Sequence, residues 1–169
     1  MTHRLVLGID PGQTGAVAAL ADGAIACFID MPTMPRKAGG HEVSGAQLAA
    51  KLRGVLQAHS GAYVLAVLEQ VHAMPKQGGT SGFRFGQSDG IVRGVLGALG
   101  IGWIEVPPQM WKRHLRLTGC DKDAARTLAI QRFPEHADKL ARKKDVGRSD
   151  ALLMAVWAEA TEQVARAAA

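Results

Sequence analysis

Residues 4–30 hold three short apolar segments in immediate succession, and that succession limits what the chain can become. The run RLVLGID (4–10) is closed by Asp-Pro-Gly. Proline pushes the residue before it toward extended geometry, so a strand ends at Asp10 and a turn follows. Segments 15–21 and 24–30 flank Asp22-Gly23, a dipeptide suited to a type I′ hairpin. The chain therefore opens as an antiparallel meander.

After a linker containing Pro, Gly and Lys (31–41), Leu48, Leu52, Val55 and Leu56 recur at helical spacing behind Ser44, a suitable N-cap. Residues 63–68 form an apolar run ending at Glu69, which reads as a buried strand reached by a crossover helix and parallel to the first. Residues 71–90 contain five glycines and a proline without periodicity, so they are expected to be a loop, long enough to suggest a function. A helix over 87–99, a strand over 101–106, helical pieces over 108–133 and a last helix from near Ser149 follow. The expectation is one α/β domain over 1–169, with a mixed five-stranded sheet (the meander plus parallel strands) and helices on both faces.

A chain of 169 residues suits a single domain. Its longest uncharged apolar run, 94–104, is well short of the ~20 residues that cross a bilayer, so no membrane partner is expected. The first residues reach an acid before any signal-length apolar region develops, which points to the cytoplasm. Cys27 and Cys120 lie far apart without CxxC spacing. They fit a reducing compartment, argue against a cysteine zinc site, and are expected to be small buried hydrophobes. The net charge of +5 lies wholly in the second part, where residues 71–169 carry fifteen Lys/Arg against ten Asp/Glu. Such a balance suits a polyanionic partner, although a basic surface can simply be solvated.

Asp10 and Glu69 both end predicted strands, where open α/β sheets place their sites. In the last helix Leu153, Val156, Trp157, Ala160 and Val164 mark an inward stripe, and Asp150 lies one turn earlier on it. Each acid has a plain alternative: a turn acid, a strand-end charge, a helix N-terminal carboxylate. Converging together, with Asp145 upstream as a fourth, they would repel one another unless a divalent cation neutralised them. Oxygen-only ligands favour Mg²⁺, with Mn²⁺ able to substitute, and two such ions about 4 Å apart can cleave phosphodiesters.

Four ordered segments carry a resemblance: GIDPGQTGA (8–16), LEQV (68–71), Phe85-Gly-Gln87 followed by Gly90, and GRSDALL (147–153). Together they resemble the RuvC-type Holliday-junction resolvases, the phage-type and chloroplast members most of all. The resemblance implies an RNase H-like fold, a homodimer, and Mg²⁺-dependent paired nicking of four-way DNA junctions, with Asp10, Glu69 and Asp150 on the matching catalytic positions. Where cellular members carry a fourth ligand, three residues before the final Asp, this chain has Gly147, and Asp145 stands five before it. His72 stands where bacterial members have a base-stacking aromatic.

Lys112 and Lys122 match backbone-contacting positions of the family. Lys76, Phe83, Arg84, Phe85, Lys143, Lys144 and Arg148 extend the expected DNA-binding set, since aromatic faces among cations suit distorted DNA. Gly90, Gly94 and Gly97, at helical spacing, imply a close approach: a dimer interface by resemblance, or tight packing on the sheet. A phosphate-binding hairpin of the actin and sugar-kinase type needs two such domains and finds only one here, and no P-loop is present, so no nucleotide cofactor is expected. Cleavage of other branched DNA or of RNA–DNA hybrids, and a non-catalytic junction-binding module, remain as alternatives.

Overall fold

The central strand β1 (Arg4–Ile9) is apolar toward both of its faces: Leu5, Leu7 and Ile9 enter one layer and Val6 the other, all without exposed surface. A strand buried on both sides must have neighbours on both edges and helices above and below. The computed structural model, which describes residues 3–37, 39–70, 79–121 and 123–161, shows that arrangement. β2 (Ala16–Ala21) pairs antiparallel with β1, and β3 (Ala24–Asp30) pairs antiparallel with β2. Asp22 and Gly23 between them both take positive φ, 48° and 83°, as the I′ turn requires.

Ser44 caps α1 (Gly45–Ala58) by accepting the Gln47 N–H, and Leu48 and Leu52 turn inward. The chain then returns as β6 (Tyr63–Glu69), parallel to β1, and later as β7 (Trp103–Val106), parallel to β6. The sheet order is β3-β2-β1-β6-β7. One face carries α1 and α2 (Gly79–Ala98). The other carries α3 (Pro108–His114), α4 (Ala124–Arg132), α5 (Ala137–Leu140) and α6 (Val146–Ala160). The mixed sheet with helices on both faces is thus as expected.

Five local expectations are corrected. The linker over 31–41 contains a small hairpin of β4 (Thr33–Pro35) and β5 (His41–Val43), closed by an Arg36 N–H to Gly40 carbonyl bond of 3.0 Å with Gly39 and Gly40 at positive φ. The glycine-rich stretch is helical from Gly79; the buried side chains of α2 begin only at Ser88, so its first turns extend a packed half outward. The last helix begins at Val146, because a 3₁₀ turn over 143–145 feeds directly into it. Its inward stripe is wider than expected: Leu152, Leu153, Met154, Ala155, Trp157 and Ala158 are all buried, Val156 is half-buried and Ala160 exposed, since α6 lies between the sheet and α4. Val164 lies outside the described residues. Cys120 is exposed and Cys27 half-buried, both free thiols. Among the described residues no helix is long and apolar enough to cross a membrane.

Candidate active site

Three glycines decide how the acids meet. α6 crosses β1 so closely that a Cβ on Gly8 would lie 1.8 Å from the Ala151 carbonyl oxygen. The following turn folds back on Asp10, where a Cβ on Gly15 would lie 2.2 Å from the Asp10 carbonyl oxygen. The start of α6 rests on the same turn, with a Cβ on Gly147 placed 2.6 Å from the Thr14 carbonyl oxygen. Glycine is the residue that permits such backbone approach. Strand register does the rest: Ile9 pairs with Leu68, so Asp10 and Glu69 leave adjacent parallel strands at the same level.

Asp10, Glu69 and Asp150 are thereby gathered at the carboxyl edge of the sheet, each largely shielded from water, and their ionisation shows it. Burial raises the Asp10 carboxyl above its usual range, against the pull of the Gly12 N–H, 3.2 Å from its Oδ1, and of Lys112. Glu69 is pushed up to about 7, by burial first and then by the Asp10 charge, with Asp150 adding to it. Asp150 is pushed up to about 6, again chiefly by burial, with Lys112 opposing and Asp10 reinforcing. Lys112 is the cation that acts on all three. Carboxylates in such company repel, and a hard divalent cation relieves what one lysine leaves. As they stand, no three His, Cys, Asp or Glu side chains among the described residues enclose a single ion position. The donor set, carboxylate oxygens alone, is the chemistry that a hard divalent cation takes.

Asp145 is placed otherwise. Its carboxylate, 2% exposed, accepts the Arg142 N–H at 3.0 Å and the Arg142 guanidinium at 2.8 Å. Arg142 holds its pKa below the usual carboxylate range, and Arg148 lies 3.9 Å away. Arg148 in turn grips Asp30 at 2.5 and 2.7 Å and donates to the Lys139 carbonyl at 2.9 Å. These groups clamp the start of α6 to the end of β3. The structure therefore groups Asp145 with two arginines instead of with the three acids, and it pairs Arg148, expected on a phosphate surface, with Asp30.

Of the other expected DNA contacts, Phe83 is 69% exposed and Arg84 exposed, both on the first turns of α2. Phe85 instead packs toward the Asp10 turn, its ring 3.7 Å from where a Gly12 Cβ would stand. Lys143 and Lys144 are exposed, and Lys112 sits half-buried beside the acids. His72, Lys76 and Lys122 lie outside the described residues. Cβ atoms at Gly90, Gly94 and Gly97 would meet nothing within 4 Å among the described residues, so close packing on the sheet does not explain them. Sequence reasoning missed Trp111, fully buried, whose Nε1–H donates to Glu69 Oε1 at 3.1 Å. A buried indole needs a partner for its N–H, and that was the available signal. Gln87, named within the motif but given no partner there, donates its amide to Glu42 at 3.0 Å and ties α2 to β5.

Comparison with known proteins bears on the fold and on the sequence. The chain is similar to the chloroplastic Holliday junction resolvase MOC1 of Chlamydomonas reinhardtii, 35% identical over 122 residues, which is 72% of this chain and 14% of that protein. The chain thus spans about one seventh of that relative's length. No family model matches. Among solved structures it is similar to Thermus thermophilus RuvC bound to a Holliday junction substrate, with a TM-score of 0.62 at 15% identity over 94% of this chain and 96% of that one. A second structure of Thermus thermophilus RuvC gives 0.54 at 14% identity over 93% and 96%. The chain is RuvC-like: it carries the fold of the RuvC-type Holliday junction resolvases, and its sequence is related to that of a chloroplastic one.

Proposed function

We propose that this protein is a metal-dependent endonuclease that nicks four-way DNA junctions in pairs, acting as a homodimer. The observation that carries the reading is the convergence of Asp10, Glu69 and Asp150, from three separate elements, at the carboxyl edge of a RuvC-like sheet. Asp10, Glu69 and Asp150 would hold the metal; Mg²⁺ ions bound there in a pair, or Mn²⁺ in their place, supply an activated water and positive charge at the departing oxygen. The chain's own groups do the positioning. The Gly12 N–H aims Asp10, the Trp111 indole aims Glu69, and the clamp of Asp30, Arg148, Asp145 and Arg142 fixes the helix that carries Asp150. Lys112, beside the acids, meets the phosphate, and exposed Phe83 and Arg84 offer an aromatic face and a cation to the branch point.

The open glycine face of α2 suits a second copy, because nothing among the described residues fills it and a two-fold dimer presents two sites to a junction that needs two cuts. The test is cleavage of immobile and mobile synthetic four-way junctions, with and without Mg²⁺, by the wild type and Asp10→Asn. Paired symmetric nicks that vanish in the variant while junction binding persists are expected. Binding without cutting in either Mg²⁺ or Mn²⁺ would leave a non-catalytic junction-binding module, and cutting confined to RNA–DNA hybrids would leave the fold right and the substrate wrong.

A further inference from the structure

We propose that the cavity between α3 and α4 receives the nucleobase next to the cleaved phosphate and reads it, which makes Gln109, Thr118 and Asp121 specificity-determining residues. The inference rests on the nuclease reading above and says where its sequence preference would reside. The cavity has a volume of about 470 Å³, inside the range of roughly 300–1,000 Å³ typical of small-molecule sites. It shares Lys112 and Asp150 with the acid cluster, so whatever fills it lies immediately beside the reacting phosphate. Its walls include the apolar Leu117, Ala125 and Val146, against which a flat ring can lie, and Gln109, Thr118 and Asp121 add hydrogen-bonding groups. Apolar walls with few polar groups are what an extruded base requires.

The cavity is also built in advance. The segment from Leu115 to Asp121 is held by the Leu117 N–H on the Lys112 carbonyl at 2.8 Å and the Cys120 N–H on the Leu117 carbonyl at 3.2 Å. It passes through two left-handed residues, Gly119 at φ 77° and Arg116 at φ 59°. A non-glycine residue in that region is uncommon, and such residues gather at binding sites. Asp121 spends one oxygen on the Asp123 N–H at 2.9 Å, and its second can accept from an exocyclic amino group. Cytosine, adenine and guanine carry such a group and thymine does not. Extrusion is easiest where stacking is already interrupted, as at a branch point.

The experiment presents each of the four bases at the cleaved position of otherwise identical four-way junctions. Cleavage by the wild type at an amino-bearing base is expected to exceed that at thymine by about tenfold, the scale of one good base contact. Asp121→Ala, which leaves no side-chain acceptor, and the cavity-filling Thr118→Trp should bring the ratio to within about twofold, with junction binding retained. Because a variant can be faulted for its folding, the same ratio is read on folded Cys27→Ser protein carrying a bulky aromatic disulfide on Cys120, which is exposed and lines the cavity. The adduct should flatten the preference and dithiothreitol should restore it. A wild type that cuts every base equally or favours thymine overturns the proposal, as does a preference untouched by the variants and the adduct, and the nuclease reading survives all of these. A wild type that cuts no junction overturns that reading and the cavity's role with it.

Discussion

Replacing Gly147 by alanine sets two effects of opposite sign against each other. In a helix alanine is favoured over glycine by at most about 1 kcal/mol. The added Cβ, however, would stand 2.6 Å from the Thr14 carbonyl oxygen and 2.9 Å from the Gly15 Cα. Favourable contact between heavy atoms begins only near about 3.5 Å. Both neighbours are backbone, in a turn closed by the Asp10 N–H on the Ala16 carbonyl at 3.0 Å and the Gly15 N–H on the Gly12 carbonyl at 2.9 Å. No rotamer change relieves the clash, so the helix or the turn must shift by most of an ångström. Overpacking costs about 1–3 kcal/mol, and an unyielding backbone puts this case at the upper end. Net destabilisation of about 2 kcal/mol is expected, read as a lower urea midpoint with an unchanged slope. The same shift carries Asp150 away from Asp10, so junction cutting should fall by about a hundredfold. Gly54→Ala in α1, where a Cβ meets nothing within 4 Å among the described residues, is the control and should gain up to about 1 kcal/mol. A Gly147→Ala protein as stable and as active as the wild type would refute the reasoning. A carboxylate at this position, as Gly147→Asp, meets the same wall.

Without metal, the raised acids make stability fall as pH rises. Their protonated forms are favoured in the folded state, so stability is greatest below the ordinary carboxylate range and is lost as pH climbs through about 6 for Asp150 and about 7 for Glu69. Thermal melts of metal-free protein should show this slope, and Asp10→Asn, by removing one repelling charge, should melt higher than the wild type at pH 8; equal effects at pH 5 and pH 8 would count against it. Trp111→Phe keeps most of the packing but strips Glu69 of a hydrogen bond worth roughly 1.5–3 kcal/mol to a charged group, and calorimetry should find weaker Mn²⁺ binding than in the wild type. Arg142→Ala leaves Asp145 buried and half-paired. A lower melting midpoint is expected, moderated because Arg142 is 53% exposed and water screens it, and the loss should shrink in acid as Asp145 is protonated.

The meander and the capped first helix were legible because short-range chemistry governs them: Asp-Pro-Gly, Asp22-Gly23 and Ser44 act within a few residues of where they stand. Asp10 and Glu69 were legible for a related reason, since strand ends are visible in an apolar run and parallel register brings two of them level. The start of α2 was hidden, because glycine-rich composition argues against helix and the packing that extends it lies further along, at Ser88, Val92 and Leu96. The partner of Asp145 was hidden too. Proximity in sequence placed that acid with Asp150, but Arg142, three residues before it, takes up its carboxylate, and Asp30, 118 residues before Arg148, completes the clamp. Gly8 and Gly147 were signals of close backbone approach whose meaning depended on knowing that α6 lies across β1.

The central claim is that three carboxylates carry the chemistry and a fourth acid only holds the frame. Metal-dependent cleavage of a four-way junction by Asp145→Asn beside Asp150→Asn, both assayed well below their melting midpoints, tests it most directly. The account predicts that Asp150→Asn binds the junction and makes no nicks, while Asp145→Asn, though less stable, still cuts both strands. An Asp145→Asn protein that is folded, binds the junction and is as inert as Asp150→Asn would contradict it and make Asp145 a fourth ligand after all.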